Sequence, residues 1–200
     1  MKKTAIIIFI IFLSLTGCST TKVKRVDPNK QTDLSGYWND TDVRIVCESL
    51  IKDCLVNPRF NQALKAMGNK IPTVIVGNFR NESSEHIDTS IITSIMETTI
   101  FNSGKLDFVA GGAARDALRK ERQDQQGNAS EKTTAALAKE TGADFMLLGT
   151  VRTIIDKAGN KSTRTYFVNA ELTSIETNQR IWMGQNTEIK KEITRPKNKL

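Results

Sequence analysis

The segment DFMLLGTVRTIIDKAGNKSTRTYFVNAELTSIETNQRIWMGQNTEI, residues 144–189, decides the fold. It divides into three runs rich in β-branched and aromatic residues: Asp144 to Ile155, Thr163 to Ile175, and Arg180 to Ile189. Between them stand Lys157-Ala-Gly-Asn160 and Glu176-Thr-Asn-Gln179, which supply the Gly and Asn that tight hairpin turns require. Three antiparallel strands are therefore expected. Side chains alternate between the faces of a strand. In the middle run Tyr166, Val168, Ala170 and Leu172 point one way, and Phe167, Asn169, Glu171 and Thr173 the other. In the run before it Phe145, Leu147 and Val151 oppose Met146, Leu148, Thr150 and Arg152. Helices covering the more apolar face would leave a second face with a few greasy side chains among polar ones, the make-up of a protein–protein contact. Packing of that face under another helix is the alternative. Leu148, Arg152, Phe167 and Glu171 are its candidate partner-binding residues.

Upstream, the apolar period changes from two to 3.6. Asp40 or Thr41 is the expected cap of a helix with Val43, Val46, Leu50, Ile51, Cys54 and Leu55 on one side. Asn57-Pro58 breaks it, and a short helix through Phe60, Leu64 and Met67 stops at Gly68-Asn69. Pro72 to Phe79 is the first core strand. A helix from His86 to Phe101 follows, with Ile87, Ile91, Ile95 and Thr99 or Ile100 in register, and Lys105 to Val109 is the second strand. Ala113 to Gln126 and Ser130 to Gly142 read as two further helices. The sum is a two- or three-layered α/β domain on a mixed sheet of about five strands with packed helices.

The first residues are of another kind. Lys2 and Lys3 precede an apolar run from Ala5 to Leu15, too short for a spanning helix of about 20 residues but suited to a signal-peptide core. The run ends in Leu15-Thr16-Gly17-Cys18: a branched apolar residue, small residues at a cut, and a thiol to take an acyl group. We read residues 1–17 as a signal peptide and Cys18 as a lipidation site. Ser19 in place of Asp favours the periplasmic face of the outer membrane over inner-membrane retention. Residues 18–35 lack apolar periodicity and are expected to form a lipidated flexible tether, 36–193 the α/β domain, and 194–200 a basic tail.

The formal charge of +7 falls to +5 when Lys2 and Lys3 leave with the signal. Much of that excess sits at the ends: Lys22, Lys24, Arg25 and Lys30, then Lys190, Lys191, Arg195, Lys197 and Lys199. Such clusters suit anionic lipid or glycan-bound polymers, or a merely solvated tether and tail; no nucleic-acid motif accompanies them. Catalytic chemistry is hard to assemble. His86 is the one histidine, and it reads as a surface or capping residue at a helix start. Gly111-Gly112 is too short a signal for a phosphate loop, and no acid pair converges visibly. Cys47 and Cys54 would lie about 10 Å apart along one helix, beyond the roughly 7 Å that a disulfide tolerates, and their spacing suits no metal. No catalytic residue, metal, cofactor or small-molecule substrate is expected, and the protein does not read as an enzyme.

Five stretches carry a resemblance: Leu34-Ser-Gly-Tyr-Trp-Asn-Asp-Thr-Asp42, Val74-Ile-Val-Gly-Asn-Phe-Arg-Asn81, Ser103-Gly-Lys-Leu-Asp-Phe-Val109, Thr141-Gly-Ala-Asp-Phe-Met-Leu-Leu-Gly149 and Glu176-Thr-Asn-Gln-Arg-Ile-Trp-Met-Gly184. In this order, over roughly residues 34–190, the chain resembles the LpoB family of outer-membrane lipoproteins. The resemblance implies a fold like the N-terminal domain of TolB, without catalytic apparatus. It also implies a partner, a bifunctional penicillin-binding protein whose peptidoglycan synthesis the lipoprotein activates, and hence a role in cell-wall biogenesis and cell shape. The best-known members carry a long tether, whereas this one has about 17 residues. That leaves a narrower periplasm, a taller partner, or no activation by this route. The alternatives to the activator reading are an envelope scaffold or a secretion-associated lipoprotein like the curli channel. The latter is disfavoured by Arg152, Asp156, Lys157, Lys161 and Arg164 beside the hairpin turn, since a spanning barrel strand presents an apolar face to lipid.

Overall fold

The computed structural model describes residues 21–28, 30–68, 70–109, 114, 116–118, 120–121 and 142–196. The signal segment, Cys18 and most of the two helices expected between 113 and 142 lie outside these residues; within them Ala114, Asp116 to Leu118, Lys120 and Glu121 are helical. Residues 1–31 and 32–200 form separate units. The described residues of the first contain no helix or strand.

The second unit begins with helix α1 (Asp40–Val56) and helix α2 (Pro58–Ala66). Strands β1 (Thr73–Val76) and β2 (Arg80–Asn81), helix α3 (Thr89–Ser103) and strand β3 (Asp107–Phe108) follow. Strands β4 (Phe145–Ala158), β5 (Lys161–Ser174), β6 (Arg180–Asn186) and β7 (Lys190–Thr194) complete it. They form one mixed, seven-stranded sheet with the path β3-β1-β4-β5-β6; β2 pairs β4, and β7 pairs β5. β1 is parallel to both β3 and β4, and the β4–β5, β5–β6 and β5–β7 pairs are antiparallel. No described helix is long and apolar enough to cross a membrane.

The alternation of the β4–β5 hairpin holds along its length. Phe145, Leu147, Val151, Tyr166, Val168, Ala170 and Leu172 are buried in one core with residues of all three helices. Gly159, at φ +58, opens the two-residue turn between the strands, the place where a hairpin loop most needs glycine.

Five expectations need correction. Asn39, not Asp40 or Thr41, caps α1: its side chain accepts the Asp42 N–H while Asp42 accepts the Asn39 N–H, a reciprocal capping box. α3 starts at Thr89 behind the Asp88 cap, so His86 lies in the preceding loop. Its core face is Ile92, Met96 and Ile100, while Ile91 is half exposed. The adjacent isoleucines 91 and 92 admit two phases, and packing selects the one that puts Ile92 under the sheet. Ile87 is buried just ahead of the cap.

The strand expected from Pro72 to Phe79 stops at Val76. Val76 pairs with Leu147 and Arg80 with Thr150, so residues 77–79 face only 148 and 149, and one extra residue bulges out of the stretch joining β1 to β2. The bulge turns Phe79 into the core over Gly149, where a methyl group would lie 2.1 Å from the ring. Finally, the run from Arg180 to Ile189 is interrupted. β6 pairs with the last half of β5 and β7 with its first half, and the chain crosses between them at residues 187–189.

Candidate functional site

α1, α2 and α3 contribute to a single core with one face of β4 and β5. On the second face of the hairpin the described side chains are half-buried or exposed. There the structure brings the four candidate side chains together as two cross-strand pairs: Leu148 stands opposite Glu171, and Arg152 opposite Phe167. Directly opposed residues are the contact unit of an antiparallel pair. Beside them runs a trough of about 850 Å³, lined by Leu148, Arg152, Glu171, Met183 and Arg180 among others; Phe167 sits just outside it.

The charges on this face are fixed by one another. Arg152 approaches Glu82 at 2.7 Å, Arg80 approaches the same carboxylate at 3.4 Å, and Arg180 holds Glu171 at 3.0 Å. Gln185 donates to Asn169 across the strands at 2.7 Å. These pairs are well exposed, so each contributes only about 0–1 kcal/mol to stability. Their effect is to hold a rim of defined polarity around the largely exposed Met183 and the half-buried Leu148. An apolar centre with a polar rim is the anatomy of a protein contact.

Among the described residues no cluster of His, Cys, Asp and Glu could hold a metal ion. His86 is exposed. Cys47 and Cys54 are free and buried, and burial pushes both thiols up to about 12. They are therefore unreactive at neutral pH.

A second cluster, on the core side, was not read from the sequence. Lys191 is buried, not part of a solvated tail. Its ammonium donates to Asp42 at 2.6 Å and to the Tyr37 carbonyl at 2.8 Å, and lies 2.7 Å from Asp33. Three donors thus meet three acceptors. Arg164 donates to the Gly36 carbonyl at 2.9 Å, lies over the Tyr37 ring at 4.3 Å, and pairs with Glu85 at 2.8 Å through an Nε–H that is not aimed at an acceptor. Glu85 accepts the Tyr166 hydroxyl at 2.8 Å and the Trp38 N–H at 3.3 Å.

Burial lifts the Asp42 carboxyl above its usual value against the opposing pull of Lys191 and the Asn39 N–H. Burial, together with Glu85, likewise raises the Tyr166 hydroxyl. This cluster clasps residues 33–42 onto β5 and β7. Its signal was present: Arg164 is in phase with Tyr166 and Val168, and Lys191 with Ile189. A charge on the buried side of a strand demands a partner.

Comparison with known proteins follows the same outline. The family model described as "Peptidoglycan-synthase activator LpoB" matches residues 42–188, well over half the chain. Among solved structures, the LpoB C-terminal domain from Escherichia coli is 15% identical, with 72% of this chain and 96% of that chain covered and a TM-score of 0.45. The LpoB C-terminal domain from Salmonella enterica is 16% identical, covering 69% and 94%, with a TM-score of 0.37. Lipoprotein GNA1162 from Neisseria meningitidis is 17% identical, covering 64% and 88%, also at 0.37. No curated protein sequence matches significantly. The match begins inside α1 and runs past the end of β6, taking in the candidate face: the chain belongs to the LpoB family of peptidoglycan-synthase activators.

Proposed function

We propose that this protein is a lipoprotein of the outer membrane's periplasmic face, anchored by an acylated Cys18, that binds and activates a bifunctional penicillin-binding protein. Family membership supports synthase activation and a place in the cell envelope. The observation that carries the contact site is the convergence of Leu148, Arg152, Phe167 and Glu171 on the half-exposed face of the β4–β5 hairpin. The lipoprotein acts by binding and not by turnover. Docking on the synthase is favoured by desolvation of the apolar centre and registered by the charged rim.

The test combines the purified lipoprotein with purified bifunctional synthase from the same cells, measuring affinity and glycan polymerisation rate. Wild type is expected to bind saturably and raise the rate. Phe167→Ala should weaken binding about tenfold, as for an aromatic contact desolvated on docking beside the trough, and Arg152→Glu should lower the association rate. Undiminished binding by both variants would move the contact elsewhere. Absence of any binding to the synthase would leave the fold in place and favour the envelope-scaffold reading.

A further inference from the structure

The clasp fixes where the tether leaves the domain. Asp33 and Gly36 are held against β7, where a methyl on Gly36 would meet the Ile193 side chain at 2.5 Å. Three residues beyond Lys191, β7 ends at Thr194 opposite Lys161, beside the β4–β5 turn. Asn160 and Arg195 exchange two hydrogen bonds there, at 2.9 and 3.0 Å. The tether root and the hairpin tip therefore share one end of the domain, about 10 Å apart along β7.

That end is basic. Lys157, Lys161, Lys190 and Arg195 are exposed on it, and Lys197 and Lys199 follow in sequence. The acids near them are Asp33, Asp156, Glu188 and Glu192; among the described residues Asp33 is held by the buried Lys191 at 2.7 Å, and Glu192 meets Lys161 at 3.2 Å in an open, exchangeable contact. Leu34 lies at the root with 94% of its surface exposed. The opposite turn, Glu176–Gln179, is about 45 Å away, at the far end of the 14-residue β5.

We infer that this basic end is a docking surface for anionic phospholipid headgroups, so that the domain stands on the membrane that anchors it. The inference rests on acylation of Cys18. Thr32 is 14 residues from Cys18, and a chain of that length spans at most about 50 Å. The anchor thus keeps the root within reach of the bilayer, and each basic residue near an anionic surface shifts the docked population by about fivefold. Leu34 adds apolar contact at the headgroup boundary. In this stance the trough, opposite the second half of β5, is held away from the lipid and toward a partner.

The test uses the full lipidated chain carrying Ala158→Cys labelled with a fluorophore. Cys47 and Cys54 are buried and remain unlabelled. Mass spectrometry first establishes the acyl groups; an unacylated Cys18 would overturn the anchor reading itself, separately from the docking. The labelled protein is reconstituted into phosphatidylethanolamine vesicles with or without about 20% phosphatidylglycerol, with a quencher on the headgroups.

Docking predicts strong quenching only with the anionic lipid. That quenching should be lost in 0.5 M salt, where the screening length falls to about 4 Å. It should fall by tenfold or more in the triple variant Lys157→Glu, Lys161→Glu, Arg195→Glu. A label at Thr177→Cys should stay unquenched. Equal quenching in both vesicle types, or greater quenching at position 177, would overturn the proposal. So would protection of position 158 by peptidoglycan sacculi and not by anionic vesicles, which would assign the surface to anionic glycan.

Discussion

Removing Lys191 should damage the domain more than any surface lysine, and removing its partner as well should repair much of the damage. In Lys191→Met the Asp42 carboxylate, 5% exposed beside a lysine that is 9% exposed, loses its counter-charge. Breaking such a buried pair costs about 3–5 kcal/mol. The burial-raised Asp42 carboxyl lets the protein escape part of that cost by taking up a proton, which favours the lower figure, about 3 kcal/mol at pH 7. For a domain stable by roughly 5–15 kcal/mol the variant still folds.

With a urea slope near 2 kcal/mol/M, the unfolding midpoint should fall by about 1.5 M. The double variant Lys191→Met, Asp42→Asn leaves no bare charge in the buried site, since the remaining Asp33 carboxylate is 39% exposed, and keeps an oxygen for the Asn39 N–H. It should recover about 2 kcal/mol relative to the single variant. Urea unfolding followed by tryptophan fluorescence is suited to this, because Trp38 packs on Tyr166 inside the clasp, with ring centroids 5.0 Å apart. A single-variant cost under about 1 kcal/mol, or a double variant no better than the single, would refute the clasp as a stabilising device.

Asp42 also has a pH signature. Its folded value is raised, chiefly by burial, so near that value the folded state binds a proton that the unfolded chain does not. Its contribution to stability therefore increases as pH falls through the folded value and levels off below the ordinary 3.8. Asp42→Asn should remove this segment from the curve of urea midpoint against pH; an unchanged curve would contradict the assignment. Gly149→Ala should force Phe79 from its seat and cost about 1–3 kcal/mol, visible as a lowered thermal midpoint, and an unaltered midpoint would mean that the Phe79 bulge is soft. Cys47 and Cys54 should resist a thiol reagent at pH 8 in the folded protein and react fully in urea. Fast labelling of one thiol in the folded protein would show that α1 opens locally.

Much of this architecture is legible in the chain because it is local. The two-residue alternation of β4 and β5 survives folding unchanged, since one face is buried in the helical core and the other, among the described residues, stays half-buried or exposed. The turns at Gly159 and at Asn178, where φ is +58 in both, are set by residues that tolerate left-handed backbone. The helix breaks at Asn57-Pro58 and Gly68 are local for the same reason.

What sequence reading placed wrongly depends on distant neighbours. Ile91 and Ile92 are equivalent on paper, and only the sheet beneath α3 decides which is buried. Phe79 looks like the end of a strand until Gly149, seventy residues later, offers its ring a place. Lys191 and Arg164 look like solvent charges until residues 33–42 close over them.

The candidate face divides along the same line. That Leu148, Arg152, Phe167 and Glu171 share a side follows from parity alone. Their meeting as two opposed pairs depends on the β4–β5 register. The sequence by itself determined the order of the elements, the two faces of the central hairpin and the family, because each rests on short-range periodicity or on motifs in linear order. Tertiary structure alone decided the helix phase, the bulge and the ionic clasp, because burial and charge pairing are properties of surfaces that meet only once the chain has folded.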